Sequence, residues 1–245
     1  VIIGNEVLTG RIEEKNSAFF VRRFRALGVR LREVCFVEDR VDAIADTLRR
    51  LAPAHDQVVT SGGIGPTHDD VTIEAVAAAF DAPVVESPAL VSLLERLLGA
   101  RATPGHLRMA RIPEGGELVF GGDVRWPVLK MANVYIFPGV PWLLRSTFEA
   151  IESRFACETP LLVGAFAVAS EEALICERLD AVAARHGLVE IGSYPRFDGL
   201  AWSLRLTLES TSWDAIAAAA RDVRRELHDV ITAEEPVAPL GAKGD

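Results

Sequence analysis

Apolar positions along this chain fall into short runs and helical stripes that alternate with one another. Val1-Ile2-Ile3 reads as a buried strand that ends at Gly4-Asn5-Glu6. After a turn at Leu8-Thr9-Gly10-Arg11, Asn16-Ser17 precede a helix with Phe20, Phe24 and Leu27 on its inner face, and Gly28 stops it. A strand is expected over 29–37, leading to Glu38-Asp39. Ile44, Leu48 and Leu51 then mark a second amphipathic helix. Residues 57–60 read as a third strand, and Ile73, Val76, Ala77 and Phe80 recur at helical spacing beyond it. Such alternation predicts an α/β class, a doubly wound and mostly parallel sheet with helices on both faces.

Past Asp81 the pattern loosens. Pro83-Val84-Val85 suits a small extra strand, and Pro88 opens a helix carrying Leu90, Leu93, Leu94 and Leu97. Residues 99–122, rich in Gly and Pro, read as an excursion from the core. Tyr135-Ile136-Phe137 is a strand, followed by the turn Pro138-Gly139-Val140-Pro141 and a helix over 142–155. Near Thr159-Pro160 the chain begins again. A strand over 161–167, a helix with Ile175, Leu179 and Val182, a strand over 189–193, a Tyr194-Pro195 turn, a strand over 201–209 and a helix with Ile216, Ala220, Val223 and Leu227 follow. This β-α-β-β-α order predicts a second, smaller α+β domain. The expected division is 1–157, 158–235 and a flexible tail over 236–245.

Composition narrows the function classes. A chain that is 49% apolar and 25% charged is an ordinary globular one. Its net charge of −9 and lack of a basic run argue against nucleic acid as a partner. Lysine is confined to Lys15, Lys130 and Lys243, so Schiff-base chemistry is disfavoured. Cys35, Cys157 and Cys176 form no C-x-x-C pair, which suits reduced thiols and a cytoplasmic location. No apolar run is long enough to span a membrane.

The chemistry concentrates in Ser61-Gly62-Gly63-Ile64-Gly65-Pro66-Thr67-His68-Asp69-Asp70-Val71-Thr72. Strand, glycine-rich turn and helix start together form an anion-binding arrangement, because missing Cβ atoms let a phosphate approach the backbone N–H groups. Asp69 and Asp70 would repel a bare phosphate, so their natural partner is a divalent cation shared with it. The alternative is a tight turn in which an Asp or Thr72 serves as helix N-cap. In a parallel sheet ligands gather beyond the carboxyl ends of the strands. Gly4-Asn5-Glu6, Glu38-Asp39, the glycine loop and Pro138-Gly139-Val140-Pro141 all follow strand ends. Gly192-Ser193-Tyr194-Pro195 reads as a hairpin turn.

Several segments carry a resemblance: Ile3-Gly4-Asn5-Glu6-Val7-Leu8-Thr9-Gly10, Lys15-Asn16, Val37-Glu38-Asp39, the long run from Gly62 to Thr72, and Phe137-Pro138-Gly139-Val140-Pro141. Through them the chain resembles the molybdopterin-binding (MoaB/Mog-like) domain superfamily. More narrowly it resembles the competence/damage-inducible protein A (CinA) amino-terminal domain family, close to the amino-terminal domain of eukaryotic FAD synthase. The part with Gly192-Ser193-Tyr194-Pro195 is similar to the region that follows in those synthases, and no deamidase domain of the full-length CinA type is expected. Two positions depart from the family pattern: Asn5 stands where an Asp is usual, and Leu143 where many CinA proteins place a Glu.

The resemblance implies a divalent-metal-dependent pyrophosphatase acting on ADP-ribose or FAD. Its alternatives are molybdopterin binding or adenylylation, and a non-catalytic nucleotide- or pterin-binding module. It further implies Mg, Mn or Co, with molybdopterin as another possible ligand, and a homo-oligomer. In that reading Asp70 with Asp69 holds the ion, Glu6 adds a ligand, and Asp39 is a further ligand or the base. Gly62, Gly63, Gly65, Thr67 and Thr72 donate to phosphate, and Asn16 and Ser17 contact phosphate or ribose. Gly4, Pro66, Gly139 and Pro141 complete the ligand-binding set, while His68 is a lesser candidate for a general acid.

Overall fold

The computed structural model describes residues 1–122, 124–157, 159–197 and 202–240. It divides into two units, one of Val1–Arg23 with Leu31–Phe155, the other of Phe24–Arg30 with the chain from Ala156 onward. Through Ile151 the elements are β1 (Ile2–Ile3), α1 (Asn5–Leu8), α2 (Asn16–Ala26), β2 (Phe36–Val37), α3 (Val41–Leu51), β3 (Val58–Ser61), α4 (Thr72–Ala79), β4 (Val84–Glu86), α5 (Pro88–Leu98), α6 (Pro104–Arg108), β5 (Arg111–Pro113), β6 (Glu117–Val119), β7 (Val128–Met131), β8 (Val134–Phe137) and α7 (Pro141–Ile151).

The main sheet has the order β2-β1-β3-β8-β7-β6. Its first four strands run parallel and the last two antiparallel, so the sheet is mostly parallel as the alternation predicts. All four residues of β8 are buried, the continuous apolar run that a strand covered on both faces requires. Alternation along β8 sends Ile136 and Phe137 to opposite faces. Ile136 joins Ile44 and Leu48 of α3 and Ala75 and Val76 of α4 in one buried cluster. Phe137 meets Phe20 of α2 and Phe148 of α7, with ring centroids 5.7 and 5.8 Å away. Each fully buried Leu, Ile or Phe stabilises by about 1.5–3 kcal/mol, and these two clusters clamp the strands whose ends carry the polar loops.

Two expectations are corrected here. The strand over 29–37 shrinks to Phe36–Val37, because β1 beside it is only two residues long and β2 lies at the sheet edge with no second neighbour. The excursion over 99–122 is largely ordered: α6 and β5 lie within it, β5 pairs with β4, and β6 extends the main sheet.

The second unit contributes β9 (Leu162–Val168), α8 (Glu172–Arg185), β10 (Glu190–Phe197), β11 (Trp202–Ser210), α9 (Trp213–Glu226) and β12 (Ile231–Pro239). Its antiparallel sheet has the order β10-β11-β9-β12, a split βαββαβ arrangement. Ile175, Leu179 and Val182 of α8 and Ile216, Ala220 and Val223 of α9 are buried together with Leu204, Leu206 and Leu208 of β11. Tyr194 and Pro195 are strand residues opposite Arg205 and Leu204, not a turn. Pro195 is tolerated because β10 is an edge strand, where a missing N–H costs no ladder bond. The proposed tail is corrected in part: β12 continues through Pro239, held by pairing with β9, and residues 241–245 lie outside the described residues. Among the described residues no helix is long and apolar enough to cross a membrane.

Candidate functional site

Four neighbouring parallel strands, β2, β1, β3 and β8, deliver their carboxyl ends to one edge of the main sheet. Gly4, Asp39, Gly62 and Pro138 each follow one of those ends, so the sheet assembles the polar loops that the sequence singles out.

The glycine loop is tight for steric reasons. Gly62 and Gly63 have φ of +108° and +67°, in the region that side chains avoid. A Cβ on Gly62 would lie 2.2 Å from the Ile3 carbonyl oxygen, and one on Gly63 2.3 Å from Thr72 Oγ1. Gly62 N–H donates to the Phe137 carbonyl at 3.1 Å, joining the loop to the end of β8. A Cβ on Gly139 would stand 3.2 Å from Gly62 Cα, so the two loops touch backbone to backbone. Among the described residues, the N–H groups of Gly63, Ile64 and Gly65 donate to no protein acceptor. These residues line a cleft of about 660 Å³ whose wall also includes Glu6, Asn16, Asp70, Gly139 and Pro141.

Thr67 and Thr72 do different work from that expected. The Thr72 hydroxyl, fully buried, donates to the Gly62 carbonyl at 2.8 Å, and its N–H donates to the Gly63 carbonyl at 3.0 Å. It is the first residue of α4, not its N-cap, and it ties the loop shut rather than facing a ligand. Thr67 directs both its N–H and its hydroxyl to Asp70 Oδ2. Ser17 is corrected likewise: its N–H and hydroxyl both go to the Glu14 carboxylate, which also takes the Asn16 N–H. Glu14 thus satisfies the free donors at the start of α2. Its signal in the sequence is a carboxylate just before a helix start. Asn16 is buried and spans segments remote in sequence, its Nδ2 donating to Ser61 Oγ at 2.9 Å and to the Gly139 carbonyl at 2.7 Å. Ser61 opens the stretch singled out in the sequence, but its role as the acceptor for Asn16 has no local signal there.

The carboxylates gather without forming a cage. Burial raises the Asp39 carboxyl above the usual range, the negative charges of Glu6, Asp69 and Asp70 raise it further, and the Asn5 N–H opposes them. That N–H donates to Asp39 Oδ2 at 2.7 Å, and Asn5 Oδ1 accepts the Asp39 N–H at 3.3 Å. Among the described residues no Lys or Arg stands within 4.0 Å of Glu6, Asp39, Asp69 or Asp70. Equally, no three of the described His, Cys, Asp and Glu side chains are placed to hold a metal ion. The expected four-carboxylate ligand set is therefore not preassembled. Asp39 feels the charges of Asp69 and Asp70, but neither Asp39 nor Asp69 lines the cleft described above. His68 is 96% exposed in its side chain and 3.9 Å from Asp69, the position of a bystander. A smaller cavity of about 360 Å³ lies on the Pro66-Thr67 side of the loop, with Arg108, Met109 and Trp126 in its wall. Arg108 and Met109 come from the segment read as an excursion, which hid them from sequence reasoning, and Trp126 lies just beyond it.

With this geometry in place, comparison with known proteins is decisive for the first unit. The profile described as probable molybdopterin binding domain matches residues 1–156. The chain belongs to that family. A second profile, FAD synthase, middle domain, matches residues 160–235. The chain is 32% identical to a protein of Archaeoglobus fulgidus over 80% of this chain and 84% of that one. It is 30% identical to a probable FAD synthase of Caenorhabditis briggsae, over 89% of this chain and 47% of that protein. A CinA-like protein of Myxococcus xanthus is 36% identical over 60% of this chain and 36% of its own length. The chain thus spans about half or less of the synthase and CinA-like relatives. The crystal structure of a CinA protein of unknown function from Thermoplasma acidophilum superposes with a TM-score of 0.58 at 30% identity, over 64% of this chain and 96% of that one. The resemblance read from the loop motifs is therefore correct: this family member is CinA-like in its first unit and like FAD synthase across both.

Of Asn5 and Leu143, the two positions set apart in the sequence, Asn5 is the one whose side chain has a visible structural role. Its side-chain oxygen accepts from Asp39, a role an Asp would also fill, but an Asp would add another negative charge beside a carboxyl already raised by three.

Proposed function

We propose that this chain binds a nucleotide or pterin diphosphate at the Gly62–Thr72 loop and hydrolyses the diphosphate linkage of an ADP-ribose- or FAD-type substrate. The observation that carries this reading is the set of unpaired N–H groups at Gly63, Ile64 and Gly65 in the wall of a cleft that also holds Glu6 and Asp70. Bare amides at a loop without Cβ atoms suit phosphate oxygens. Uncompensated carboxylates beside them suit a hard divalent ion, Mg, Mn or Co. An ion held by one or two carboxylates together with the ligand's phosphates, the usual manner of Mg²⁺ binding, would not need the three-residue cluster that the described residues lack. When bound, such an ion offsets the diphosphate charge and makes phosphorus more electrophilic.

The chain's own residues have defined parts in this scheme. The Gly63–Gly65 amides hold the diphosphate, while Gly4, Pro66, Gly139 and Pro141 let the backbones approach and shape the rim. Glu6 and Asp70, in the cleft wall, would hold the cation, and Asp69 would add its charge from beside the cleft. Asp39, whose carboxyl is raised, takes a proton from water as that water attacks phosphorus and one P–O bond of the linkage breaks. ADP-ribose would give AMP and ribose 5-phosphate. The test is product analysis of ADP-ribose, FAD, NADH and ATP with each of the three metals. AMP release is expected from ADP-ribose or FAD, with turnover lowered about 100-fold in Asp39→Asn. Absence of product with every metal would refute hydrolysis. A second reading, binding without turnover, draws on the lack of a preassembled ion site. It predicts ligand-dependent thermal stabilisation in the same samples with no product.

A further inference from the structure

We infer that Asn16 is a specificity-determining residue whose side-chain oxygen accepts a hydrogen bond from a donor group of the ligand, a sugar hydroxyl or a ring N–H, rather than meeting a phosphate. This rests on the cleft being the ligand site. Asn16 is 6% exposed, lines the cleft, and is the first residue of α2. Both hydrogens of its Nδ2 are committed, one to Ser61 Oγ and one to the Gly139 carbonyl. The carbonyl of Gly139 can only accept, so the amide cannot be turned over. Ser61 Oγ spends its own proton on the Pro138 carbonyl at 3.3 Å and has none to return. Asn16 Oδ1 is left buried with no partner. Buried acceptors are almost always satisfied, so an unpartnered one on a residue that lines a cleft is a place for a donor carried by what the cleft binds, water or ligand.

A phosphate cannot be that partner, since it presents only acceptors to an acceptor. Nor can it take the helix start, because the Glu14 carboxylate already holds the N–H groups of Asn16 and Ser17. The ligand is therefore oriented with its diphosphate at Gly63–Gly65 and a donor-bearing portion at Asn16. Of the expectation that Asn16 and Ser17 contact phosphate or ribose, this orientation keeps only a donor such as a ribose hydroxyl at Asn16 and leaves Ser17 to Glu14.

Calorimetric titration of the full chain tests the inference with two arms. One uses ADP-ribose and analogues lacking one ribose hydroxyl each; the other uses FAD and FAD methylated at its ring N–H. Removing a single donor is expected to weaken binding to the wild type about 10-fold, and to change nothing in Asn16→Ala, where the acceptor is gone. The arm that responds identifies the donor as hydroxyl or ring N–H. Asn16→Ala also frees Ser61 and Gly139, so if it does not fold the analogue series on the wild type decides alone. Equal affinity for every analogue, or the same loss in variant and wild type, overturns the inference while leaving the phosphate site intact. Failure of both ADP-ribose and FAD to bind the wild type overturns the site reading, and this inference with it.

Discussion

Substituting Gly63 by Ala tests whether the glycine loop is shaped by the contact between Gly63 and Thr72. The new Cβ would sit 2.3 Å from Thr72 Oγ1, a side-chain atom in a residue with no exposed surface. Two costs combine. A left-handed conformation, φ +67°, costs an L-residue about 1 kcal/mol, and the forced overlap in a packed interior adds about 2 kcal/mol. Thr72→Ala alone leaves the Gly62 carbonyl without its 2.8 Å donor and opens a small void, at about 2 kcal/mol. In the double variant the overlap vanishes and only the backbone cost of Gly63→Ala remains. The pair should then be less destabilised than the sum of the singles by about 2 kcal/mol. Gly62→Ala supplies the contrast. Its Cβ would meet the Ile3 carbonyl oxygen, a backbone atom, at 2.2 Å, so Thr72→Ala should give no rescue. Hydrogen exchange on peptides covering 58–79 reads the opening free energy of this unit separately from the other. Strict additivity of Gly63→Ala and Thr72→Ala, or equal rescue of Gly62→Ala, would refute the steric account.

Three further outcomes are expected. Because the folded-state value of Asp39 is raised, its contribution to stability is complete below the unfolded-state value and is lost as pH rises through the folded one. Asp39→Asn should therefore be more stable than the wild type at pH 7 by no more than about 1 kcal/mol, since water screens this half-exposed group, and the gap should close on acidification in a Tm series; a gap that widens at low pH contradicts the assignment. Asn5→Asp should lower Tm in chelator yet show a larger rise with added Mg²⁺ than the wild type, and an equal rise would mean that the carboxylates at this edge take no ion. In the second unit, Asp222 is held below the usual carboxylate range by its 3.0 Å hydrogen bond to His186, then by Arg225 and Arg185. That stabilisation is present above the unfolded-state value and lost as pH falls through the lowered folded-state one, so Asp222→Asn should lower the urea midpoint of this unit at pH 7, by an amount that shrinks steadily as the pH is taken below about 4.

What could be read from sequence was governed by periodicity and by short covalent reach. The stripes of α3, α8 and α9 and the apolar run of β8 are local patterns, and the structure buries the residues that they mark. The glycine loop was legible because φ > 0 and backbone contact demand glycine at fixed spacing. Partners at long range were not. Nothing near Asn16 announces that its amide ends between Ser61 and Gly139, and nothing near Thr72 shows its hydroxyl turned inward. The Gly- and Pro-rich stretch misled for a related reason. β5 and β6 are three residues each, too short for a period to emerge, and gain their identity from pairing with β4 and β7.

The amide of Asn16 bridges positions 45 and 123 residues further along the chain. No fragment ending before β8 can form this cleft, because its wall is completed only by the turn after β8, which supplies Gly139. A finished wall at this cleft therefore reports that the chain from α2 to the turn after β8 has come together.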